Sequence, residues 1–508
     1  MERGNPDYVS VKRREQSLSK ACILPYNQAA MNENNASDPT ENKHREARQA
    51  HWDAVACKRD SWQGMGFWYH RRIEEIYRFL ISPGRRVLEI GSGTGDILAA
   101  VQPGQGVGID FSAEQIRRAR ALHPEIKFIQ ADAHDLSAVK GRFDAIILAD
   151  LINELWDVQQ VLEQLRPLCT PRTRVIINFY SRLWELPLHI TQVLKLATPT
   201  LAQNWLTPRD MTNMLNLAGF ETIRTWQEVL WPLPLGGFFN KFLARFWPIN
   251  EFALANFLIA RPQPQKVEKV PTVSVIVPAR NEAGNIQAIF ERVPKMGRET
   301  ELVFVEGHSQ DDTYATIERE LAAHLATPGM LLRQTGVGKA DAVRLGFEHA
   351  NGDVLMILDA DLTVPPEDLP RFYEALVSSK GEFINGVRLV YPMEEQAMRS
   401  LNFLGNKFFS MAFSWLLGQP IKDTLCGTKV FWKKDYETIA ANRSYFGDFD
   451  PFGDFDLIFG AAKQNLKIVD LPIRYRERTY GSTNISRWKH GLLLMRMVAF
   501  AARRIKFV

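Results

Sequence analysis

The sequence predicts two α/β domains in tandem, and three observations support this fold class. The chain has 508 residues, more than one ordinary domain holds. Short apolar runs alternate with segments of helical length, a pattern typical of parallel sheets with crossover helices. Residues 261–271 interrupt this pattern with three prolines and several charges, so we interpret them as a linker. We therefore expect a polar, flexible leader at 1–45, one domain at 46–260 and another at 272–508.

The composition restricts the class of protein. Hydrophobic residues make up 45% of the chain and charged residues 24%, the balance of a globular protein. The net charge of +4 gives no reason to expect a nucleic-acid partner. The four cysteines are widely spaced, which favours reduced thiols over a zinc site or disulfides. There is no signal peptide and no run of about 18 apolar residues, so we expect a cytoplasmic protein.

The first domain opens with a glycine-rich turn, VLEIGSGTGD, which also contains an acid, Glu89. Glycines between a strand and a helix allow the backbone to approach a ligand closely. The next two strand-like runs end in acids as well, Asp110 and Asp132. A carboxylate at Asp110 can accept both hydroxyls of a ribose, and Asp132 lies within reach of an adenine amino group. Three acid-bearing strand ends are therefore more specific than a glycine-rich turn alone.

These residues resemble the motif of the class I S-adenosylmethionine-dependent methyltransferases over residues 50–260. The resemblance implies a Rossmann-like sheet with S-adenosyl-L-methionine as cofactor. The glycine turn would face its methionine part, Asp110 its ribose and Asp132 its adenine. The residues implied in cofactor binding are Glu89, Gly91, Gly93, Gly95, Asp110, Phe111, Asp132 and Ala133. The alternative is a Rossmann-like domain that is kept only for packing.

Residues after the fourth strand are candidates to line the side of the methyl acceptor. The segment LADLINELWD places Asn153, Glu154 and Trp156 there. The alternative interpretation is a solvated helix start capped by polar residues. The segment lacks an NPPY-type motif for amino-group methylation, so the methylated group is not predicted.

The second domain repeats the pattern of strands that end in polar residues. Its first strand, VSVIVPA, leads into Arg280, Asn281 and Glu282, and its second ends at Glu306. Side chains at the carboxyl ends of such strands project into the crevice where α/β proteins bind ligands. A Gly–Lys step then places Lys339 at a helix start, where its amino group could contact phosphate or nucleobase oxygens.

The third strand-like run, DVLMILDAD, ends in two aspartates, Asp359 and Asp361. Residues two apart in an extended segment point the same way, so the carboxylates converge and repel each other. A hard divalent ion such as Mg²⁺ or Mn²⁺ relieves that repulsion. It would also bridge the diphosphate of a nucleotide-sugar. We therefore expect Asp359 and Asp361 to be catalytic residues and metal ligands.

With the P-A-R-N-E turn, the G-K helix and the D-A-D pair in this order, residues 272–508 resemble family 2 glycosyltransferases of the GT-A fold. The dolichyl- or polyprenyl-phosphate hexose synthases are the more similar group. The resemblance implies a UDP- or GDP-hexose donor, and Asp454 or Asp456 as a second acidic position near the acceptor. The candidate donor contacts are Pro278, Ala279, Arg280, Asn281, Glu282, Glu306, Ser309 and Lys339. The second strand reads V-E-G-H-S instead of the usual V-D-D-G-S, which leaves the base, uracil or guanine, open.

Two C-terminal segments bear on the acceptor. Residues 401–420 are rich in Phe, Leu and Trp, and residues 471–508 contain nine Lys/Arg with one acid, Glu477. Together they favour an anionic membrane surface and a lipid-phosphate acceptor, although a core helix with a solvated basic tail is the alternative. A lipid phosphate needs positioning, whereas a glycan hydroxyl needs a base, for which Asp454 and Asp456 are the candidates.

These expectations combine into a bifunctional enzyme: a methyltransferase followed by a metal-dependent inverting glycosyltransferase at the cytoplasmic face of a membrane. One alternative is a glycosyltransferase whose N-terminal domain only binds S-adenosylmethionine or is an inert scaffold. The other is a non-catalytic membrane-associated tether, which the intact motifs in both halves disfavour.

Overall fold

The computed structural model of this chain describes most of its length. The described residues are 39–58, 66–193, 200–233, 236–263, 269–388, 390, 400–443, 453–476, 478, 480 and 487–507. They form two compact units, divided between Gln263 and Pro264, and each unit is an α/β domain with a seven-stranded sheet. The expectation of two α/β domains is therefore confirmed.

The segments outside the two predicted domains differ in part from the expectation. A helix begins at Pro39, so the last residues of the predicted leader at 1–45 are helical, and residues 1–38 lie outside the described residues. The predicted linker at 261–271 begins within a strand that ends at Pro262. Its residues 264–268 also lie outside the described part of the chain.

The first domain is built on a mixed sheet with the strand order β3-β2-β1-β4-β5-β7-β6. Its strands are β1 Arg86–Ile90, β2 Gln105–Asp110, β3 Lys127–Gln130, β4 Phe143–Ala149, β5 Cys169–Tyr180, β6 Phe220–Glu228 and β7 Ala255–Pro262. Strands β1 to β5 run parallel, whereas β7 is antiparallel to both β5 and β6. Its helices are α1 Pro39–Lys58, α2 Gly66–Leu80, α3 Asp96–Ala100, α4 Ala113–Leu122, α5 Val158–Leu165, α6 Glu185–Val193, α7 Pro208–Leu217 and α8 Gly237–Lys241.

The second domain has the strand order β10-β9-β8-β11-β13-β12-β14. Its strands are β8 Val273–Ala279, β9 Thr300–Glu306, β10 Gly329–Arg333, β11 Val354–Ile357, β12 Phe383–Val387, β13 Lys429–Trp432 and β14 Ile468–Pro472. Strand β13 is antiparallel to its neighbours β11 and β12, and the other pairs are parallel. Its helices are α9 Ala283–Arg292, α10 Thr313–Ala323, α11 Lys339–His349, α12 Leu369–Val377, α13 Ser400–Leu417, α14 Lys433–Ala441, α15 Asp454–Lys463 and α16 Arg487–Ala501.

The central strands are almost entirely apolar because both faces of each sheet are covered. In β4, Ile146 and Leu148 enter one core, whereas Ile147 enters the other. In β8, Ile276 and Val277 are likewise divided between two cores. Such burial on both faces removes the alternation of polar and apolar residues and leaves the polar groups at strand ends. Both predicted sites therefore lie at the carboxyl edges of the parallel strands.

Candidate active sites

The glycine-rich turn of the first domain has a backbone that requires glycine. Gly91, Gly93 and Gly95 all have positive φ, at 71°, 51° and 80°. A Cβ at Gly95 would lie 2.5 Å from the ring of Phe128, whereas a Cβ at Gly93 would meet nothing within 4 Å. The turn is therefore tightly packed at its helix side and open at its middle glycine, where a ligand can approach the backbone.

Asp110 ends β2 beside this turn and is buried. One carboxylate oxygen accepts a hydrogen bond from the Gly93 amide, and the other accepts one from the Ser112 amide, both at 2.9 Å. Burial raises the pKa of Asp110 to about 6, although these two amides favour the charged form. The carboxylate is thus held in place by backbone donors, and each oxygen keeps lone pairs for the hydroxyls of a ribose.

Glu89 is buried within the sheet edge, where its carboxylate accepts a hydrogen bond from the Leu98 amide of α3 at 3.1 Å. Burial raises its pKa well above the usual range, and the Asp96 charge acts in the same direction. The neighbouring Ser92 hydroxyl is buried, and no described residue forms a hydrogen bond with it. A buried polar group of this kind, beside the open Gly93, fits a polar ligand in the turn.

The adenine side of the predicted site contains Asp132 and Ala133. One oxygen of Asp132 accepts from the His134 amide at 2.9 Å and lies 2.8 Å from His134 Nδ1. Partial burial raises the pKa of Asp132, but the contacts with His134 outweigh that effect and hold it below its usual range. Ala133 packs partly buried against the core, and the Phe111 carbonyl accepts from the Gln130 side chain at 3.3 Å.

Sequence reasoning missed Asp150, which directly follows β4 and has a φ of 52°. One of its oxygens, Oδ1, accepts hydrogen bonds from the Tyr69 hydroxyl at 2.7 Å and from Asn178 Nδ2 at 2.5 Å. The Tyr77 hydroxyl in turn donates to Asn178 Oδ1 at 2.8 Å. Its neighbour Leu151 packs where a Cβ of Gly91 would lie, so Asp150 borders the glycine turn. The only signal in the sequence was an acid at a fourth strand end.

The three acceptor-side candidates have different environments. Asn153 is fully buried, donates to the Asn204 carbonyl at 2.7 Å and accepts from the Tyr180 amide at 2.9 Å, so its prediction as a lining residue was wrong. Glu154 forms an ion pair with Arg48 at 3.1 Å. Trp156 is 41% exposed and remains accessible to a ligand.

In the second domain, the loops after β8 and β9 are joined by hydrogen bonds. The Asn281 amide donates to Ser309 Oγ at 3.0 Å, and Asn281 Oδ1 accepts from the Gln310 amide at 2.7 Å. Glu306 is buried and accepts from the Ser309 amide at 2.5 Å. Hydrogen bonds therefore link Ser309 to both Asn281 and Glu306, and they fix the shape of the loops that border the predicted donor site.

The other predicted donor contacts lie along the same edge. Pro278 and Ala279 form the end of β8, and the Ala279 carbonyl accepts from the Gly307 amide at 2.9 Å. Arg280 is exposed, whereas Glu282 is buried and accepts from Asn285 Nδ2 at 2.7 Å. Burial raises the pKa of Glu282 to about 7, although Arg478 acts in the opposite direction.

The two predicted metal ligands are each paired with a basic side chain. Asp359 Oδ1 lies 2.6 Å from Lys339 Nζ, and a Cβ at Gly427 would collide with both partners. Asp361 Oδ2 lies 2.6 Å from Arg478, while its Oδ1 accepts from the Thr363 amide at 3.1 Å. Sequence reasoning placed Lys339 near phosphate and treated Arg478 only as one of many basic residues.

The chemistry of this edge suits a hard cation. Asp359 and Asp361 present carboxylate oxygens that positive groups of the chain already approach, as a divalent ion would. Among the described residues there is no cluster of three or more His, Cys, Asp or Glu side chains that could hold a metal ion. A cation at Asp359 and Asp361 would therefore need further ligands, which the diphosphate of a donor could provide.

Of the two predicted acceptor-side acids, Asp456 is less accessible than expected. Asp456 is buried in ion pairs with Arg344 and Arg443, the latter at 3.8 Å. Both guanidinium groups approach its Oδ2 oxygen, so this carboxylate is engaged within the domain. Asp454 begins α15, but its side chain lies outside the described residues.

The predicted amphipathic segment forms helix α13 and is partly a core helix. Phe413 and Leu417 are buried, whereas Phe408 and Met411 are exposed. In the basic segment, the exposed residues are Arg474, Arg476, Arg496, Arg503 and Arg504, whereas the acid Glu477 lies outside the described residues. No described helix is long and apolar enough to cross a membrane.

Comparisons with known families match both halves of the chain. Residues 81–229 match a methyltransferase domain family, and residues 274–439 match glycosyl transferase family 2. Each match covers less than half of the chain and lies within one of the two compact units.

Named relatives are similar to part of the chain. Glycosyltransferase AglJ of Haloferax volcanii is 28% identical over 221 residues, which cover 43% of this chain and 68% of that protein. Dolichol-phosphate mannosyltransferase of Saccharomyces cerevisiae is 38% identical over 108 residues, or 20% of this chain and 40% of the relative. The chain therefore spans less than half the length of this yeast relative.

The comparison with solved structures also gives a match. Glucosyl-3-phosphoglycerate synthase of Mycobacterium tuberculosis is 17% identical, with a TM-score of 0.34, and the match covers 46% of this chain and 80% of that one. The chain carries a methyltransferase domain followed by a family 2 glycosyltransferase domain.

Proposed function

We propose that the second domain transfers a hexose, with inversion, from a UDP- or GDP-sugar to a lipid phosphate. The observation that carries this proposal is the Asp359–Asp361 pair at the end of β11, the neighbour of β8 in the sheet. The pair borders the joined loops after β8 and β9, at the sheet edge where α/β proteins bind ligands.

The donor would be held by several groups of this edge. A Mg²⁺ or Mn²⁺ ion bound to Asp359 and Asp361 would supply positive charge against the departing diphosphate. Lys339, now paired with Asp359, would offer its amino group to phosphate oxygens. The joined loops that contain Asn281 and Glu306 would bind the nucleoside because their shape is fixed in advance.

Lipid phosphate is the acceptor that we favour over a glycan. A phosphate oxygen is already anionic at neutral pH, so it needs no proton acceptor. A glycan hydroxyl would need one, and the ion pairs of Asp456 with Arg344 and Arg443 oppose that role. The names of relatives, such as dolichol-phosphate mannosyltransferase, fit the same acceptor class. The enzyme would then act as a peripheral protein at the cytoplasmic face of a membrane.

This activity is tested by assaying the full chain with different combinations of nucleotide-sugar and acceptor. UDP- and GDP-hexoses are incubated with Mn²⁺ or Mg²⁺ and a short polyprenyl phosphate, and the glycolipid is detected by mass spectrometry. We expect one donor to yield a lipid-linked hexose. Transfer to a glycan but not to the lipid phosphate would contradict the acceptor, and no turnover of any donor would favour the non-catalytic tether.

We also propose that the first domain binds S-adenosyl-L-methionine and methylates a second substrate. The supporting observation is the open side of Gly93, which lies beside the buried Asp110 and the Ser92 hydroxyl, for which no described residue is a hydrogen-bond partner. The cofactor would supply an activated methyl group. Asp110 would accept the ribose hydroxyls, and Asp132 would lie on the adenine side.

Calorimetric titration of the full chain with S-adenosylhomocysteine tests this site. Asp110→Ala removes a charged acceptor of two hydrogen bonds, so the affinity should fall by at least about tenfold. Asp144→Asn, on the exposed part of β4, is the control for loss of one negative charge and should bind normally. Tighter binding of NAD than of S-adenosylhomocysteine would contradict the assignment, and binding without methyl transfer would favour the scaffold alternative.

A further inference from the structure

Arg478 connects the two acidic loops of the predicted donor site. Its guanidinium group lies 2.6 Å from Asp361 Oδ2 and 3.4 Å from Glu282 Oε1. Asp361 follows β11, and Glu282 follows β8, the adjacent strand of the sheet. The arginine therefore supplies one positive charge to two carboxylates that come from neighbouring strand ends.

Contacts on both sides of Arg478 hold it over these loops. The Arg476 amide donates to the Thr363 carbonyl at 2.9 Å, just beyond Asp361. The Tyr480 ring packs over Gly284, where a Cβ would lie 2.7 Å from it, and its hydroxyl donates to Asp311 at 3.3 Å. The position of the guanidinium group is thus specified by the chain around it and does not depend on one ion pair.

The position of Arg478 is in conflict with that of a divalent ion. Asp361 Oδ1 is already bonded to the Thr363 amide and hydroxyl, at 3.1 and 2.8 Å. Oδ2, which contacts Arg478, is therefore the oxygen most available to a metal. A divalent ion at Oδ2 would lie within a few ångströms of the guanidinium group, and the two positive charges would repel each other in a half-buried site.

We propose that Arg478 is a positioning residue that balances the charge of Asp361 when no metal is bound, and that moves to the donor diphosphate when the ion takes its place. Its planar guanidinium group matches the geometry of phosphate oxygens as well as that of a carboxylate. Metal and nucleotide would then bind together more favourably than the metal alone. This inference rests on the proposed metal-dependent donor site.

Manganese binding provides a readout that is independent of turnover. Free Mn²⁺ is measured by electron paramagnetic resonance in titrations of the full chain without nucleotide. Arg478→Gln removes the competing charge, so Mn²⁺ should bind about tenfold more tightly than in the wild-type protein. With UDP or GDP present, the same variant should bind the nucleotide about tenfold more weakly, because a phosphate contact is lost.

Two further variants make the result specific. Arg476→Gln removes the same charge from an exposed side chain two residues away and should leave both affinities unchanged. Arg478→Lys keeps the charge and should show an Mn²⁺ affinity close to that of the wild-type protein. This variant also tests the role of the charge if Arg478→Gln folds poorly.

Three outcomes would overturn the inference. An unchanged Mn²⁺ affinity in Arg478→Gln, while wild-type protein binds Mn²⁺ with UDP or GDP, would refute the role of Arg478 and leave the proposed function standing. An equal gain of Mn²⁺ affinity in Arg476→Gln would show that the effect comes from the overall charge of the protein and not from the position of Arg478. No Mn²⁺ binding by any of the proteins, even with nucleotide, would contradict the metal-dependent function together with this inference.

Discussion

At the residue scale, Asp150 carries a charge that the surrounding protein disfavours. Burial raises its pKa to about 7, although the Tyr69 and Asn178 hydrogen bonds favour the charged form. Both hydrogen bonds go to Oδ1, and no described residue donates to Oδ2. With a φ of 52°, the residue also has a backbone conformation that Asn adopts more readily than most others. Such an arrangement lowers stability at a candidate active-site edge.

Asp150→Asn should therefore stabilise β4 at high pH but not at low pH. The folded pKa of about 7 exceeds the value of about 3.9 for an unfolded aspartate, so the wild-type protein loses stability as pH rises between these values. Asn keeps the Oδ1 acceptor and carries no charge. The opening free energy of β4 should increase by roughly 4 kcal/mol at pH 8, with little change near pH 4. Hydrogen exchange followed by mass spectrometry at both pH values measures this difference.

The control is Asp144→Asn, which removes a charge from the exposed end of the same strand. It should change the exchange of β4 far less at pH 8 than Asp150→Asn does. If Asp150→Asn gave the same increase at both pH values, the charged state of Asp150 would not be its cause.

The environment of Asp150 could not be predicted from the sequence. Tyr69, Tyr77 and Asn178 come from α2 and β5, and nothing local indicates that they meet at the end of β4. The same holds for Arg478, whose partners Asp361 and Glu282 are more than 100 residues away. In contrast, Asp110 was predictable because it ends strand β2, whereas Asp359 and Asp361 lie two and four residues after β11, and Asp361 is in a turn instead of the expected extended segment.

At the element scale, different glycines of the turn between β1 and α3 serve close packing and ligand access. Gly95 and Gly93 both have positive φ, so any side chain strains the backbone at either position. Only at Gly95 would a Cβ also strike the Phe128 ring, at 2.5 Å. At Gly93 the space is open, and there the added atom would project toward the predicted cofactor.

Replacement of the two glycines by alanine should therefore have different effects. Gly95→Ala should destabilise the first domain by roughly 2–4 kcal/mol, because strain and overpacking add. Gly93→Ala should cost only about 1 kcal/mol, from backbone strain, but should weaken S-adenosylhomocysteine binding. Thermal unfolding and calorimetric titration of both variants measure the two effects. If Gly93→Ala lost stability but bound the ligand normally, the cofactor would not approach this face of the turn.

The elements themselves were predicted better than their connections. Parallel strands and crossover helices follow from the alternation of apolar runs, and the two sheets confirm them. The antiparallel strands β7 and β13 were not expected, because the strand direction is set by the route of the chain and not by local pattern. The helical start at Pro39 was also missed, since α1 is polar and lacks a clear apolar stripe.

At the scale of the whole molecule, exposed apolar groups occur in both domains. The first domain exposes 62% of Phe238, 80% of Trp247 and 62% of Phe252, in a segment of short helical turns that has no regular periodicity. The second exposes Phe408 and Met411 of α13, and the basic residues Arg503 and Arg504 follow α16. Aromatic and basic side chains of this kind suit the surface of an anionic bilayer.

We expect the full chain to float with vesicles that contain phosphatidylserine, and salt to weaken this binding through screening. The double variant Arg503→Gln/Arg504→Gln should lose about 1 kcal/mol of binding free energy per charge. The control is Lys127→Gln/Arg172→Gln, two exposed charges of the first domain, which should bind as the wild-type protein does. Equal flotation with neutral and anionic vesicles would refute the electrostatic part of this prediction.

We expect Asp359 and Asp361 to hold a metal against the donor diphosphate, and Asp361→Asn is the most direct test of this role. The measurement is nucleotide release from the active UDP- or GDP-hexose by the full chain, with Mn²⁺ and with chelator. Chelator should abolish release, and Asp361→Asn should reduce it at least about a hundredfold, because a neutral amide is a poor ligand for a hard ion. S-adenosylhomocysteine binding should stay unchanged, since that site lies in the other domain. Full release in chelator, or by an Asp359→Ala/Asp361→Ala variant, would contradict the claim.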